Sequence, residues 1–113
     1  MEIKNAKITS TMLGREDHGI MTFMIFVEMD PCTCGVGGYA LDMYDRATEK
    51  RVFTAKGLEA ISKILEVAGV DEWEQLPGKY IRVKDSGGWG STIDEIGHLI
   101  KDKWFNLREF FSN

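Results

Sequence analysis

Cys32, Cys34, His18 and His98 are the residues of this sequence best equipped for metal binding or nucleophilic chemistry. Structural zinc sites usually space paired cysteines by two to four residues and complete a set of four ligands. A C-x-C pair with two distant histidines does not fit that pattern. A thiol nucleophile needs a base and an orienting acid within hydrogen-bond reach, and no local motif surrounds Cys34, His18 or His98. Asp17-His18 beside Gly19 reads as turn chemistry, the Asp capping backbone amides. The run Gly35-Val36-Gly37-Gly38 invites a phosphate-binding reading. Phosphate loops of both common kinds lead from a strand into a helix, whereas these glycines lead into a strand. A bend or bulge is the expectation there. No catalytic set, metal or cofactor is expected, and the chain is read as a non-enzyme.

Two groups of residues are suited to contact instead. Tyr80, Arg82 and Lys84 fall on the outward face of one predicted strand, with Lys79 and Trp89 close in sequence. Cations interleaved with aromatics suit single-stranded nucleic acid, where bases stack on rings and phosphates meet Lys or Arg. Against this stands the charge: 14 Lys and Arg face 18 Asp and Glu, a net −4 that repels phosphates at long range. The second group is Trp104, Phe105, Phe110 and Phe111. A terminal helix that points Trp104 and Phe111 inward leaves Phe105 and Phe110 near solvent, where neighbouring aromatics mark a protein contact or a homodimer interface. Closure of the core by the tail is the other reading.

The elements that must position these residues follow from periodicity. Lys4 to Leu13 alternates weakly, and Ile20 to Glu28 is β-rich and apolar on both faces, which predicts a central strand covered on each side. A loop of about six residues joins them as a hairpin. Asp30 to Gly38 is predicted as a loop, Tyr39 to Tyr44 as a third strand, and Arg51-Val52-Phe53 as its extension or a short extra strand. The clearest element is a helix over Ala55 to Ala68, with Thr54 as N-cap and Gly69 as the C′ residue. Its expected inward stripe is Leu58, Ile61, Leu65 and Ala68, widened by Ile64 and Val67. Asp71 and Glu74 have the spacing of a capping box before a short turn. Tyr80 to Lys84 is a strand with Ile81 and Val83 inward. For residues 91–101 a strand is favoured over a helix, followed by a short helix from Asp102 to Phe111. The order β-β-β-α-β-β predicts an α+β fold, either an antiparallel sheet or a small OB-like barrel, with one main helix and a short C-terminal one.

At 113 residues, with 43% apolar and 28% charged, the chain is read as one domain spanning 1–113. The start lacks the basic and apolar regions of a signal peptide. The most apolar stretch, Ile20 to Met29, is too short to span a bilayer. The C-x-C spacing strains a disulfide. A cytoplasmic protein without membrane contact is expected.

Several stretches resemble short uncharacterised proteins of bacteriophages and prophages: Leu13-Gly14-Arg15-Glu16-Asp17-His18-Gly19, Gly37-Gly38-Tyr39-Ala40-Leu41-Asp42, Trp73 through Val83, and Ile96-Gly97-His98 with Lys101-Asp102-Lys103-Trp104-Phe105. The likeness covers nearly the whole chain and brings no catalytic residues with it. Pro31-Cys32-Thr33-Cys34 departs from the glycine-dominated loop of such proteins. The helix followed by Leu76-Pro77-Gly78-Lys79 and two strands is similar to the closing half of some phage single-strand-binding proteins of OB type. The resemblance implies a phage accessory protein in the host bacterial cytoplasm that binds a host protein stoichiometrically, for instance as an anti-CRISPR-like inhibitor of a defence system. A single-stranded nucleic-acid-binding protein of phage replication or recombination is the alternative.

Overall fold

The long strand β1 (Glu2–Arg15) organises the fold in the computed structural model, which describes residues 2–16, 18–29, 32–85 and 93–112. Its C-terminal half pairs antiparallel with β2 (Met21–Met29), and its N-terminal half pairs antiparallel with β6 (Tyr80–Asp85). A register shift between Ile8 and Ser10 separates the two halves, and such irregularities bend and twist a strand. β3 (Cys32–Ala40) adds beyond β2, and β7 (Ile93–Gly97) and β8 (Trp104–Asn106) add beyond β6. The six strands run β3-β2-β1-β6-β7-β8, all antiparallel, as a curled half-barrel. β4 (Asp42–Asp45) and β5 (Lys50–Phe53) form a separate two-stranded sheet. The fold is α+β, as the element pattern implied.

Helix α1 (Ala55–Ala68) has the bounds and caps its sequence predicts. Thr54 accepts a hydrogen bond from the Gly57 amide at 3.0 Å, and Gly69 takes the left-handed conformation with φ 76°. Its buried face matches the expected one at Ile64, Val67 and Ala68 but is shifted toward Gly57 and Ala60. Gly57, Ala60, Ile64, Val67 and Ala68 turn inward, while Leu58 stays 74% exposed and Ile61 and Leu65 are half-buried. The reason is local: a Cβ on Gly57 would be driven into the Leu41 carbonyl, so this glycine marks where helix and chain touch backbone to backbone. That close approach turns the small flank inward and rotates Leu58 out.

Three further expectations need correction. The glycine run is not a loop; Cys32 to Ala40 is strand β3, and Tyr39 and Ala40 end it rather than start the next strand, while the bend or bulge expected at the glycines is present as a register shift between Gly37 and Ala40. β2 is not covered on both faces. Phe23, Ile25, Val27 and Met29 are buried, but on the other face Phe26 and Glu28 are exposed and Met24 is half-buried. Met24 and Phe26 lie sideways over Gly35, which has no side chain to stop them. Finally, the capping box uses Glu72 and Gln75, not Asp71 and Glu74, and starts a 3-10 turn at Trp73–Gln75.

The C-terminal segment is strand then helix, but the helix is shorter than expected. β8 occupies Trp104–Asn106, and α2 covers only Leu107–Phe111, capped by Asn106 accepting from the Glu109 amide. The core joins Ala6, Ile8, Phe23, Ile25, Val27, Val36, Ile64, Leu76, Ile81, Val83, Ile96 and Leu107, with α1 packed over β6, β7 and β8. No helix among the described residues is long and apolar enough to cross a membrane.

Candidate functional site

A cavity of about 510 Å³ opens to solvent where the β4–β5 hairpin meets the first turns of α1. Leu13 and Met21 reach it from the facing ends of β1 and β2, Leu41 from the chain before β4, and Phe53 to Ala55, Gly57, Leu58 and Ile61 from the hairpin end and the helix. Thr54 supplies the one hydroxyl in this lining. That hydroxyl accepts from the Gly57 amide and donates to the Leu41 carbonyl at 3.3 Å, so it is engaged in both directions. Phe53 is 73% exposed and forms one wall; Leu58 forms another.

An ion pair joins the two strands of the hairpin, and its carboxylate also ties the hairpin to β2. Asp42 accepts from the Arg51 guanidinium at 2.7 Å and from the Met21 amide at 3.1 Å. The Arg51 hydrogen bond holds the Asp42 carboxyl below the usual carboxylate range, against the opposing effect of burial. Asp42 itself is buried, whereas the Arg51 Nε is enclosed with no acceptor. The hairpin is thus held by charge and hydrogen bonds on the face that carries Asp42, Tyr44, Arg51 and Phe53. Met43 and Val52 form a cross-strand pair on the opposite face and are exposed.

The structure brings Tyr80, Arg82 and Lys84 together on the outer face of β6, as the alternation implied, and shows what occupies them. Arg82 donates to the His98 carbonyl at 2.7 Å and the Lys101 carbonyl at 2.8 Å. Lys84 pairs with Glu95 at 3.2 Å. Both cations sit 4.7 Å from the Trp104 ring centroid, and the same ring covers Gly97. Trp104 is half-buried and is contacted by both cations and by Gly97. Lys79 and Tyr80 are exposed, Tyr80 by 52%. Trp89 lies outside the described residues.

His98 belongs to this cluster and was assigned no role by sequence reasoning. Its Nδ1 accepts from the Ile100 and Lys101 amides at 3.1 and 3.0 Å, which ties down the turn between β7 and β8. Accepting at Nδ1 puts the proton of the neutral ring on Nε2, on the side where Gly69 ends α1. Burial pushes the imidazole below its ordinary 6.5, and Lys101, Lys103, Arg82 and Lys79 push it further.

Of the two readings of the C-terminal aromatics, closure of the core is the one that Phe105, Phe110 and Phe111 fit. Phe105 is 6% exposed, because it stands on strand β8 rather than on a helix, and alternation sends it inward. Phe110 packs edge-on against Phe105 and Phe111, and Phe111 stacks on Tyr39 with centroids 4.6 Å apart. This group closes the half-barrel between β3 and α2. Large apolar side chains left exposed among the described residues include Leu13, Tyr44, Phe53 and Leu58, and also Ile3, Met43 and Ile100. A signal for two of these existed: Phe53 immediately precedes the N-cap, and Leu58 lies one turn on.

Cys32 is exposed and Cys34 half-buried, both with free thiols. His18 is exposed and lies 3.4 Å from a Glu16 carboxylate oxygen, while Asp17 is outside the described residues. No group of three or more metal-ligating side chains occurs among the described residues. No protein-family model matches this sequence, and comparison with curated proteins and with solved structures gave no match.

Proposed function

We propose that this protein is a non-catalytic binding protein that acts by stoichiometric contact with another protein, through the face formed by the β4–β5 hairpin and the start of α1. One observation carries the reading: Leu13, Phe53 and Leu58, all exposed, line an open apolar cavity, and Tyr44 is exposed on the same hairpin face as Phe53. Taking roughly 150–250 Å² for each large side chain, their exposed fractions leave on the order of 400 Å² of apolar surface. A patch of that size on a monomer often marks a contact site, and it is about half of one partner's share of a standard interface. The role of His98 as a backbone acceptor also favours the reading, since that ring is engaged in holding a turn.

The phage resemblance favours a partner in the host bacterial cytoplasm, and inhibition of a host defence complex is the concrete form this takes. Tagged protein passed through a bacterial lysate at moderate salt should retain one partner in fixed stoichiometry. Retention of nothing, or substrate turnover by the purified protein, counts against the reading.

A second reading rests on the exposed pair Lys79 and Tyr80 beside Arg82 and Lys84: contact with single-stranded nucleic acid. Among the described residues of this face, Arg82, Lys84 and Trp104 interact with one another or with the protein, and Tyr80 is the exposed ring, where such surfaces use several. Titration of a labelled oligonucleotide at low salt decides it, and absence of binding removes it.

A further inference from the structure

We propose that the cleft where the β7–β8 turn meets the start of β6 binds a phosphate monoester carried on a flat ring, the chemistry of a nucleoside monophosphate. The inference is independent of the contact reading and shares no residue with the hairpin cavity. The cleft has a volume of about 370 Å³. Lys79 and Tyr80 line it from the start of β6, and His98, Leu99 and Ile100 line it from the turn. Small-molecule sites begin at roughly 300 Å³, so the size suits a compact ligand.

Charge selects the anion. His98 Nδ1 accepts the Ile100 and Lys101 amides, which leaves the ring proton on Nε2 as a donor. Among the described residues that N–H has no acceptor, and Lys79 and Lys101 have no ion-pair partner. Lys103 is paired with Glu66 at 4.0 Å, and Arg82 spends its guanidinium on the His98 and Lys101 carbonyls. After burial, it is Lys101, Lys103, Arg82 and Lys79 that hold the imidazole below its ordinary value. Four cations thus converge on one ring in a chain whose net charge is −4. The carbonyl end of α1 reaches the Nε2 side at Gly69 and opposes an anion with roughly half a charge. Two unpaired lysines outweigh it. Phosphate fits better than carboxylate, because the one guanidinium fork is already occupied and lysines meet phosphate as point charges. A phosphate monoester also brings about −1.5 to −2 charges at pH 7, against one for a carboxylate.

The rest of the lining selects the ring. Tyr80 is 52% exposed, Leu99 37% and Ile100 82%, and all three bring apolar surface to the cleft beside the cations. Bare phosphate leaves those faces wet, whereas a flat ring joined to it covers them, and stacking on tyrosine accepts any base. A long strand fits less well, since the negative net charge repels each further phosphate.

The test uses the full chain with AMP, adenosine, inorganic phosphate and benzoate as probes. The His98 ring and the Leu99 and Ile100 methyl resonances are followed at pH 8, where the imidazole is neutral. AMP is expected to shift these signals saturably and to bind at least about tenfold tighter than adenosine or inorganic phosphate, since stacking and charge both contribute. Lys79→Ala and Lys101→Ala are each expected to weaken AMP by about tenfold, the loss of one charge-assisted hydrogen bond. Their melting temperatures check that the variants are folded. Tyr80→Ala is expected to reduce AMP to the affinity of inorganic phosphate. Three results overturn the proposal: no saturable shift with AMP, benzoate binding as tightly as AMP, or AMP affinity unchanged in both lysine variants. Trinucleotides separate the sources of the same chemistry. A 5′-phosphorylated one that matches AMP supports the site with a strand end as its ligand, and one that binds more weakly supports the free nucleotide. A 5′-hydroxyl trinucleotide that binds as tightly as the phosphorylated one overturns the cleft in favour of an open groove.

Discussion

Replacing His98 by Ala should destabilise the protein at pH 8 and matter progressively less as the solution is acidified. The neutral ring accepts two backbone amides at Nδ1, from Ile100 and Lys101. A typical hydrogen bond contributes about 0.5–1.5 kcal/mol net, and water reaches both amides, so the pair is worth about 1–2 kcal/mol. Protonation at Nδ1 turns the acceptor into a donor and removes both bonds. Burial first, then Lys101, Lys103, Arg82 and Lys79, depress the folded-state value below 6.5, the value of an unperturbed histidine. Between the depressed value and 6.5 the unfolded chain binds more protons, so stability rises with pH across that window. The contribution is complete above 6.5 and is lost as pH falls through the folded-state value. Urea denaturation of wild type and His98→Ala at half-unit steps from pH 8 to pH 4.5 measures the difference directly. Subtracting the two curves removes the carboxylates and His18, which both proteins share. A difference that stays constant, or that grows on acidification, would refute the argument. Growth would mean that the imidazolium is the stabilising form.

Asp42→Asn should be destabilising, because a neutral amide replaces the carboxylate that the Arg51 guanidinium donates to; equilibrium unfolding checks it. The depressed Asp42 carboxyl also makes the wild type lose this contribution as pH falls below the ordinary 3.8, and the variant should lack that acid limb. Gly57→Ala gains up to about 1 kcal/mol of helix propensity, yet should be destabilising by about 1–3 kcal/mol through the clash with the Leu41 carbonyl. Thermal unfolding decides the sign, and a stabilised variant would show that helix and chain can separate freely. Phe53→Asp should change stability by no more than about 0.5 kcal/mol, as an exposed substitution, while reducing partner capture.

Much of the framework is legible in the residues because local signals agree there. Thr54 and Gly69 bracket α1 correctly, and the alternation in Tyr80 to Lys84 gives strand β6 with its true inward pair. Two of the misreadings turn on glycines. Gly35, Gly37 and Gly38 were read as part of a loop, but here they belong to an edge strand on which Met24 and Phe26 lie over Gly35. Gly57 lies where helix α1 and the Leu41 backbone touch, on the flank of α1 that is buried. Burial of that flank is why the contact face escaped sequence reasoning. Leu58 has the spacing of a core residue, yet it is exposed where Gly57 meets the Leu41 backbone. The aromatic tail was misjudged for a related reason. At helical spacing Phe105 points away from Trp104 and toward solvent, whereas on strand β8 it faces the core.

The most direct measurement compares, by calorimetric titration, the affinities of Leu58→Glu and of Lys79→Ala/Tyr80→Ala for the protein captured from lysate. Loss of a buried anchor contact of about 2 kcal/mol corresponds to roughly thirtyfold weaker binding. The account expects at least that loss for Leu58→Glu and less than about threefold for the β6 variant. The opposite ranking would move the contact surface to the outer sheet face and contradict the assignment made here.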